Sequence, residues 1–172
     1  MTEVSINIQA KLREHFTLAE LCKTSYHTAD GNIPSRVAIE NLKNICDNWL
    51  EDLRYSQNTL YGGKDDKEMP IFITSGFRSE AVNMKCGGAK NSNHLTGCAV
   101  DIKCYGPEQM IRMAGILLDI SDGTKREFDE LILEKRGTTY WIHFAVRPKD
   151  RSATKGDACQ SKNRRKILFV CR

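Results

Sequence analysis

Ser92-Asn93-His94-Leu95-Thr96-Gly97-Cys98-Ala99-Val100-Asp101 sets a histidine and an aspartate seven residues apart across a glycine. The run Cys98 to Cys104 has the apolar, β-rich make-up of a strand, so Asp101 is expected on a strand and His94 in the loop before it. Gly97 permits the backbone turn that would aim both side chains at one point. A second histidine follows in Trp141-Ile142-His143. Two imidazoles and one carboxylate can fill three positions around Zn²⁺ and leave a fourth open for water, so the sequence reads as a candidate zinc hydrolase. The chain has only four histidines, and the other two, His15 and His27, stand in a less patterned N-terminal region.

Outward from this stretch, Ile71-Phe72-Ile73-Thr74 is a short strand candidate. It runs into the turn Ser75-Gly76-Phe77-Arg78, after which Ser79 can cap a helix to about Lys85. On the C-terminal side, residues 107–120 carry helical spacing at Met110, Met113, Ala114, Leu117 and Leu118. Phe128 to Glu134 and Thr139 to Val146 form an expected hairpin around Gly137, and 167–170 a final edge strand. In the N-terminal part, Thr17-Leu18-Ala19-Glu20 has the form of a capping box. Ala38, Leu42, Ile45, Cys46, Trp49 and Leu53 predict a long amphipathic helix from Ser35 to about Arg54, and 56–68 an exposed loop. The fold class expected is α+β, with a small antiparallel sheet flanked by helices.

At 172 residues and 40% hydrophobic the chain can bury one sizeable core, and no Pro/Ser-rich linker divides it, so a single domain over 1–172 is expected, helical to about residue 55. Lys and Arg outnumber Asp and Glu by 26 to 22, with Lys162, Arg164, Arg165 and Lys166 clustered near the end. A formal charge of +4 suits an anionic polymer such as cell wall; nucleic acid is not expected, because no basic stripe is interleaved with aromatics. Seven irregularly spaced cysteines, several within apolar runs, read as reduced thiols in a core. The start Met1-Thr2-Glu3-Val4-Ser5 lacks the pattern of a signal peptide, and no run approaches membrane-spanning length, so action outside the cytoplasm would require another route of release. A monomer is expected.

A hydrolytic site also needs a base and groups that bind substrate and its developing charge. Glu134, ending Leu131-Ile132-Leu133, is the leading base: if it pairs with Thr139 across a four-residue loop, it shares a sheet face with His143. Glu130 would share that face and is its rival, with Asp129 a weaker one. Arg78 would place a permanent cation by the site, for a substrate carboxylate or an oxyanion. Ser92 could bind substrate or shape the turn; Trp141, on the same strand face as His143, could line the cleft or fill the core.

These residues resemble the zinc D-alanyl-D-alanine carboxypeptidases and related peptidoglycan peptidases, metallopeptidase family fifteen. Ile73-Thr74-Ser75-Gly76-Phe77-Arg78-Ser79 is similar to the family's strand and S-G-[YF]-R-S turn, Ser92 to Asp101 to its S-x-H-x-x-G-x-A-x-D motif, and Trp141-Ile142-His143 to the segment carrying the last ligand. The resemblance spans 70–146 and implies that His94, Asp101 and His143 hold zinc, that Arg78 contacts substrate or stabilises the transition state, and that the substrate is a peptidoglycan stem peptide. The hedgehog signalling domain is similar in the same core, where an F-D-x-x-x-x-E strand corresponds to Phe128-Asp129 to Glu134, which supports Glu134 as the base. Many members carry the acidic base three residues before the last histidine; that position here is Tyr140. A compact catalytic domain of this kind fits a phage lysis or virion-associated enzyme, as carboxypeptidase or endopeptidase. Two other classes stay open: a zinc-stabilised binding module in which Cys98 or Cys104 closes the metal's fourth position, and a cysteine hydrolase using Cys98 or Cys86 with His94.

Overall fold

The computed structural model describes residues 6–62, 68–148 and 165–171. Its centre is a five-stranded sheet built from β1 (Ile73–Ser75), β2 (Ala99–Cys104), β3 (Glu130–Arg136), β4 (Thr139–Ala145) and β5 (Lys166–Cys171), in the spatial order β1-β2-β4-β3-β5. The first three pairings across the sheet are antiparallel, whereas β5 runs parallel to β3, so the expected antiparallel sheet is mixed at one edge. The architecture is α+β, as expected. Among the described residues no helix is long and apolar enough to cross a membrane.

Strand period explains the sheet's two faces. Val100, Ile102, Ile142, Phe144 and Leu131 point one way and are fully buried, while Asp101, His143, Glu130 and Glu134 occupy alternate positions on the other face. Besides the short α4 (Glu80–Lys85), which opens on the expected Ser79 cap, α2 (Arg36–Ile45), α3 (Glu51–Tyr61) and α5 (Pro107–Thr124) cover the apolar face, and their Leu42, Ile45, Leu53, Met110, Met113 and Leu117 join one core with the strands. Trp49 binds the layers together: its ring meets Phe144 at 4.9 Å and Phe128 at 6.4 Å, both edge-on, a favoured aromatic geometry.

The long N-terminal helix departs from the expectation twice. A π-helical turn, Cys46–Leu50, joins α2 to α3, and the helix continues through Tyr61 where a loop was expected from residue 56. Residues 57 and 58 explain the extension. Gln57 is buried, and Asn58 donates from Nδ2 to the Arg54 carbonyl (3.0 Å) while its Oδ1 accepts from the Met69 amide (2.5 Å), so the returning chain holds the last turn in place. The rest of that expected loop, 63–67, lies outside the described residues, as do Lys162, Arg164 and Cys159.

Candidate metal centre

Helix α1 (Leu18–Leu21) opens on the expected cap, Thr17 accepting from the Glu20 amide, and its end is the floor on which the Ser75-Gly76-Phe77-Arg78 turn is built. The Phe77 amide donates to the Leu21 carbonyl at 2.7 Å, and a Cβ on Gly76 would lie 2.3 Å from that same oxygen. Only glycine allows this approach. Asn32 fastens the turn's other side: its Nδ2 donates to the carbonyls of Cys22 (2.8 Å) and Phe77 (3.3 Å), and its Oδ1 accepts from the Ser79 amide (2.7 Å). The sequence carried no sign of Asn32, whose partners stand up to 47 residues away. Its left-handed backbone (φ 52°) and near-complete burial are structural signatures that only the folded chain reveals.

His94 lies in the short 3₁₀ helix Asn93–Thr96, capped by Ser92 and stopped by Gly97 at φ 72°. Gly97 is doubly required: beyond its left-handed backbone, a Cβ there would sit 2.5 Å from the Ala38 carbonyl oxygen. The next residues enter β2, where Asp101 stands directly opposite His143 of β4. The three predicted ligands therefore meet. His143 Nδ1 is 2.9 Å from Asp101 Oδ1 and 3.2 Å from His94 Nε2, and His94 Nε2 is 3.3 Å from Asp101 Oδ1. One ligand atom from each lies within 4.8 Å of the others.

The donor chemistry fits a zinc ion. His94 Nδ1 is 2.6 Å from the Gly76 carbonyl, which can only accept, so Nδ1 carries the proton and Nε2 a free lone pair aimed at the cluster. Burial lowers the His94 pKa, favouring the neutral imidazole that a metal requires. Burial alone would lower His143 too, but hydrogen bonds to Asp101 and Glu130, with their charge, outweigh it and raise the group to about 9. Burial would raise the Asp101 carboxyl; the two imidazoles instead hold it well below the usual carboxylate range. Among the described residues this is the one such three-residue group, and neither Cys98 nor Cys104 belongs to it. Cys104 is buried with its thiol pushed up to about 12, and Cys86 donates to the Asn83 carbonyl.

Arg78 is brought to the centre. Its Nη2 pairs with Asp101 Oδ2, its Nε donates to Ser75 Oγ at 2.7 Å, and its amide donates to the His94 carbonyl at 3.1 Å. Beside it opens a cavity of about 250 Å³ bordered by Lys23, Tyr26, Thr74, Cys86, Arg78 and Asp101. Ser92 Oγ accepts from the His94 amide at 3.3 Å, so it shapes the turn.

The hairpin is tighter than expected: Arg136 pairs with Thr139, leaving two residues in the loop where four were anticipated. Both lengths are even, so the face assignment is the same. Ile132 stands opposite His143, with Glu134 two residues towards the turn, opposite Trp141, and Glu130 two residues the other way, opposite Ala145. Glu134 is half-buried, and Trp141 beside it is also half-buried on the His143 face. Glu130 Oε2 approaches His143 Nε2 at 3.5 Å, and its pKa falls to about 2 through that imidazole, against the opposing effect of burial. Asp129 is fully buried, with Arg147 Nε 3.7 Å from its Oδ1.

A model of the family described as peptidase M15 matches residues 14–124, nearly two thirds of the chain. The match takes in Arg78, His94 and Asp101 and stops before the hairpin with His143. No curated protein matches the chain.

Proposed function

Because the chain belongs to the peptidase M15 family, we propose that it is a zinc metallopeptidase that hydrolyses peptide bonds in peptidoglycan stem peptides, as a D-Ala-D-Ala carboxypeptidase or an endopeptidase acting at the cell wall. The observation that carries this reading is the convergence of His94 Nε2, His143 Nδ1 and Asp101 from three separate segments. Held by these three residues, zinc would supply Lewis acidity towards the scissile carbonyl and lower the pKa of water.

The base is Glu134. Glu130 stands at Nε2 of His143, the nitrogen on the far side of the ring from Asp101 and His94, and so is turned away from the centre. Glu134 lies on the same sheet face in the other direction along β3, half-open beside Trp141, with no ion-pair partner among the described residues. Its carboxylate takes a proton from the attacking water and returns it to the leaving amine. Trp141 lines the cleft on that side. On the other side Arg78 and Lys23 give the cavity two cations, which suits a peptide carrying a carboxylate near the bond cleaved, and Arg78 can steady the oxyanion.

Release of D-alanine or new amines from purified peptidoglycan tests the reading, with zinc-loaded wild type compared with Glu134→Ala at matched metal content. Turnover by wild type and its loss in the variant is the expected result. A wild type that holds one equivalent of zinc and releases nothing would replace the enzyme with a zinc-stabilised binding module.

A further inference from the structure

His143 has two ring nitrogens, and the structure engages both. Nδ1 faces Asp101 and His94, and Nε2 faces Glu130 Oε2 at 3.5 Å. Glu130 is held in turn from two directions. Asn93 Nδ2, on the residue before His94, donates to Oε2 at 3.4 Å, and Lys166 Nζ, from β5, donates to Oε1 at 3.4 Å. Lys166 is Glu130's register partner in the parallel β3–β5 ladder, so the pairing of backbones sets the two side chains beside each other. His143 and Glu130 side chains are only 14% and 15% exposed, which limits competition from water.

We propose that Glu130 is a positioning residue for His143, and that Lys166 makes β5 part of the metal site's support. The proposal rests on the zinc reading above. A carboxylate at Nε2 fixes the proton there, leaves the Nδ1 lone pair for the metal, holds the ring plane, and makes the imidazole a stronger donor. His94 receives the same kind of support from a neutral acceptor, the Gly76 carbonyl. Glu130 adds charge, and through Asn93 it joins the segments carrying the first and last ligands. Lys166 limits that carboxylate's rotation. The outermost strand, some twenty residues after β4 in sequence, is thereby coupled to the centre through one side chain.

Zinc dissociation constants from competition with a chromogenic chelator test this for wild type, Glu130→Ala, Glu130→Gln and Lys166→Met, beside thermal unfolding of each metal-free chain. Glu130→Ala should weaken zinc binding about 10- to 100-fold, the usual effect of removing a ligand's hydrogen-bond partner. Glu130→Gln, which can still accept from Nε2–H, should recover most of that loss, and Lys166→Met should weaken zinc about threefold or more by releasing the carboxylate. Unfolding midpoints should not follow the zinc constants. Wild-type affinity in both Glu130→Ala and Lys166→Met overturns the proposal. So does a loss in Glu130→Ala that Gln does not restore and that falls in step with stability. A Glu130→Gln chain that binds zinc like wild type yet has lost turnover would make Glu130 the base and overturn it too. Wild type that binds no zinc removes the proposed function itself, and this inference with it, and is read directly from the first titration.

Discussion

Gly76→Ala would put a methyl group where the fold has none to give. The added Cβ would lie 2.3 Å from the Leu21 carbonyl oxygen, 3.1 Å from its carbon and 3.2 Å from its Cα, all backbone atoms at the end of α1. A tolerable contact begins near 3.0 Å, so turn and helix end must separate by at least 0.7 Å. That movement strains the 2.7 Å bond from the Phe77 amide to the same oxygen. It also displaces the Gly76 carbonyl, which sits 2.6 Å from His94 Nδ1. Forcing a methyl into a packed site costs about 1–3 kcal/mol. For a chain of this length each kcal/mol moves the midpoint by about 2–4 °C, so a fall of roughly 2–12 °C is expected. The second effect is functional: disturbing the acceptor that orients His94, a proposed zinc ligand, should weaken zinc binding by about 10-fold or more. Thermal unfolding of the metal-free chain and a zinc titration measure the two effects on one preparation. A variant with wild-type midpoint and wild-type zinc affinity would refute the reasoning, because the contact leaves no direction in which only side chains need move.

Glu134→Gln should hold zinc normally while turnover on peptidoglycan falls by about 10²- to 10⁴-fold, the range for loss of a general base; parallel zinc and amine-release measurements read this. Zinc binding should depend on pH through His143, which is raised from the ordinary 6.5 to about 9. Its proton must leave before the metal enters, so apparent affinity should rise about tenfold per pH unit between about 6.5 and 9, and a flat profile would contradict that. The sign reverses for the metal-free fold: stability owed to protonated His143 is present below about 6.5 and declines as pH rises through about 9, visible as a falling unfolding midpoint. Trp49→Ala, which removes the ring packed against both Phe128 and Phe144, should cost about 3–5 kcal/mol in chemical denaturation.

The meeting of His94, Asp101 and His143 was legible because it is written in side-chain types at spacings that survive folding. His94 and Asp101 belong to one turn and strand, and an even-numbered hairpin, whatever its length, was enough to place Glu134, Glu130 and His143 on one face. Which nitrogen of His143 meets which carboxylate was not legible, since the difference between Glu130 and Glu134 is one of direction along β3 rather than of face. Nor was the support of the Arg78 turn, for the Gly76 and Leu21 carbonyls carry no residue-type signal and Asn32 acts across long stretches of sequence. The loop expected from residue 56 failed for a related reason: Ser56 and Asn58 are weak helix signals by composition, and the contacts that keep this turn helical come from Met69 and from packing against α5. The parallel placement of β5 depended on a connection that no local pattern describes.

Trp49 belongs to the third of the chain with no chemical motif, yet its ring lies against Phe144, the residue directly after His143. A fragment cut to the motif-bearing residues 70–146 would keep every proposed ligand and both candidate carboxylates. It would also strip Trp49, α2 and α3 from the core they share with Val100, Ile102, Leu131, Ile142 and Phe144, leaving α5 alone over the inner side of the sheet that fixes strand register. With register free to slip by one residue, Asp101 and His143 would turn to opposite faces. The N-terminal helices are thus part of the mould in which the candidate metal centre is cast, and a minimal version of this protein has to include them.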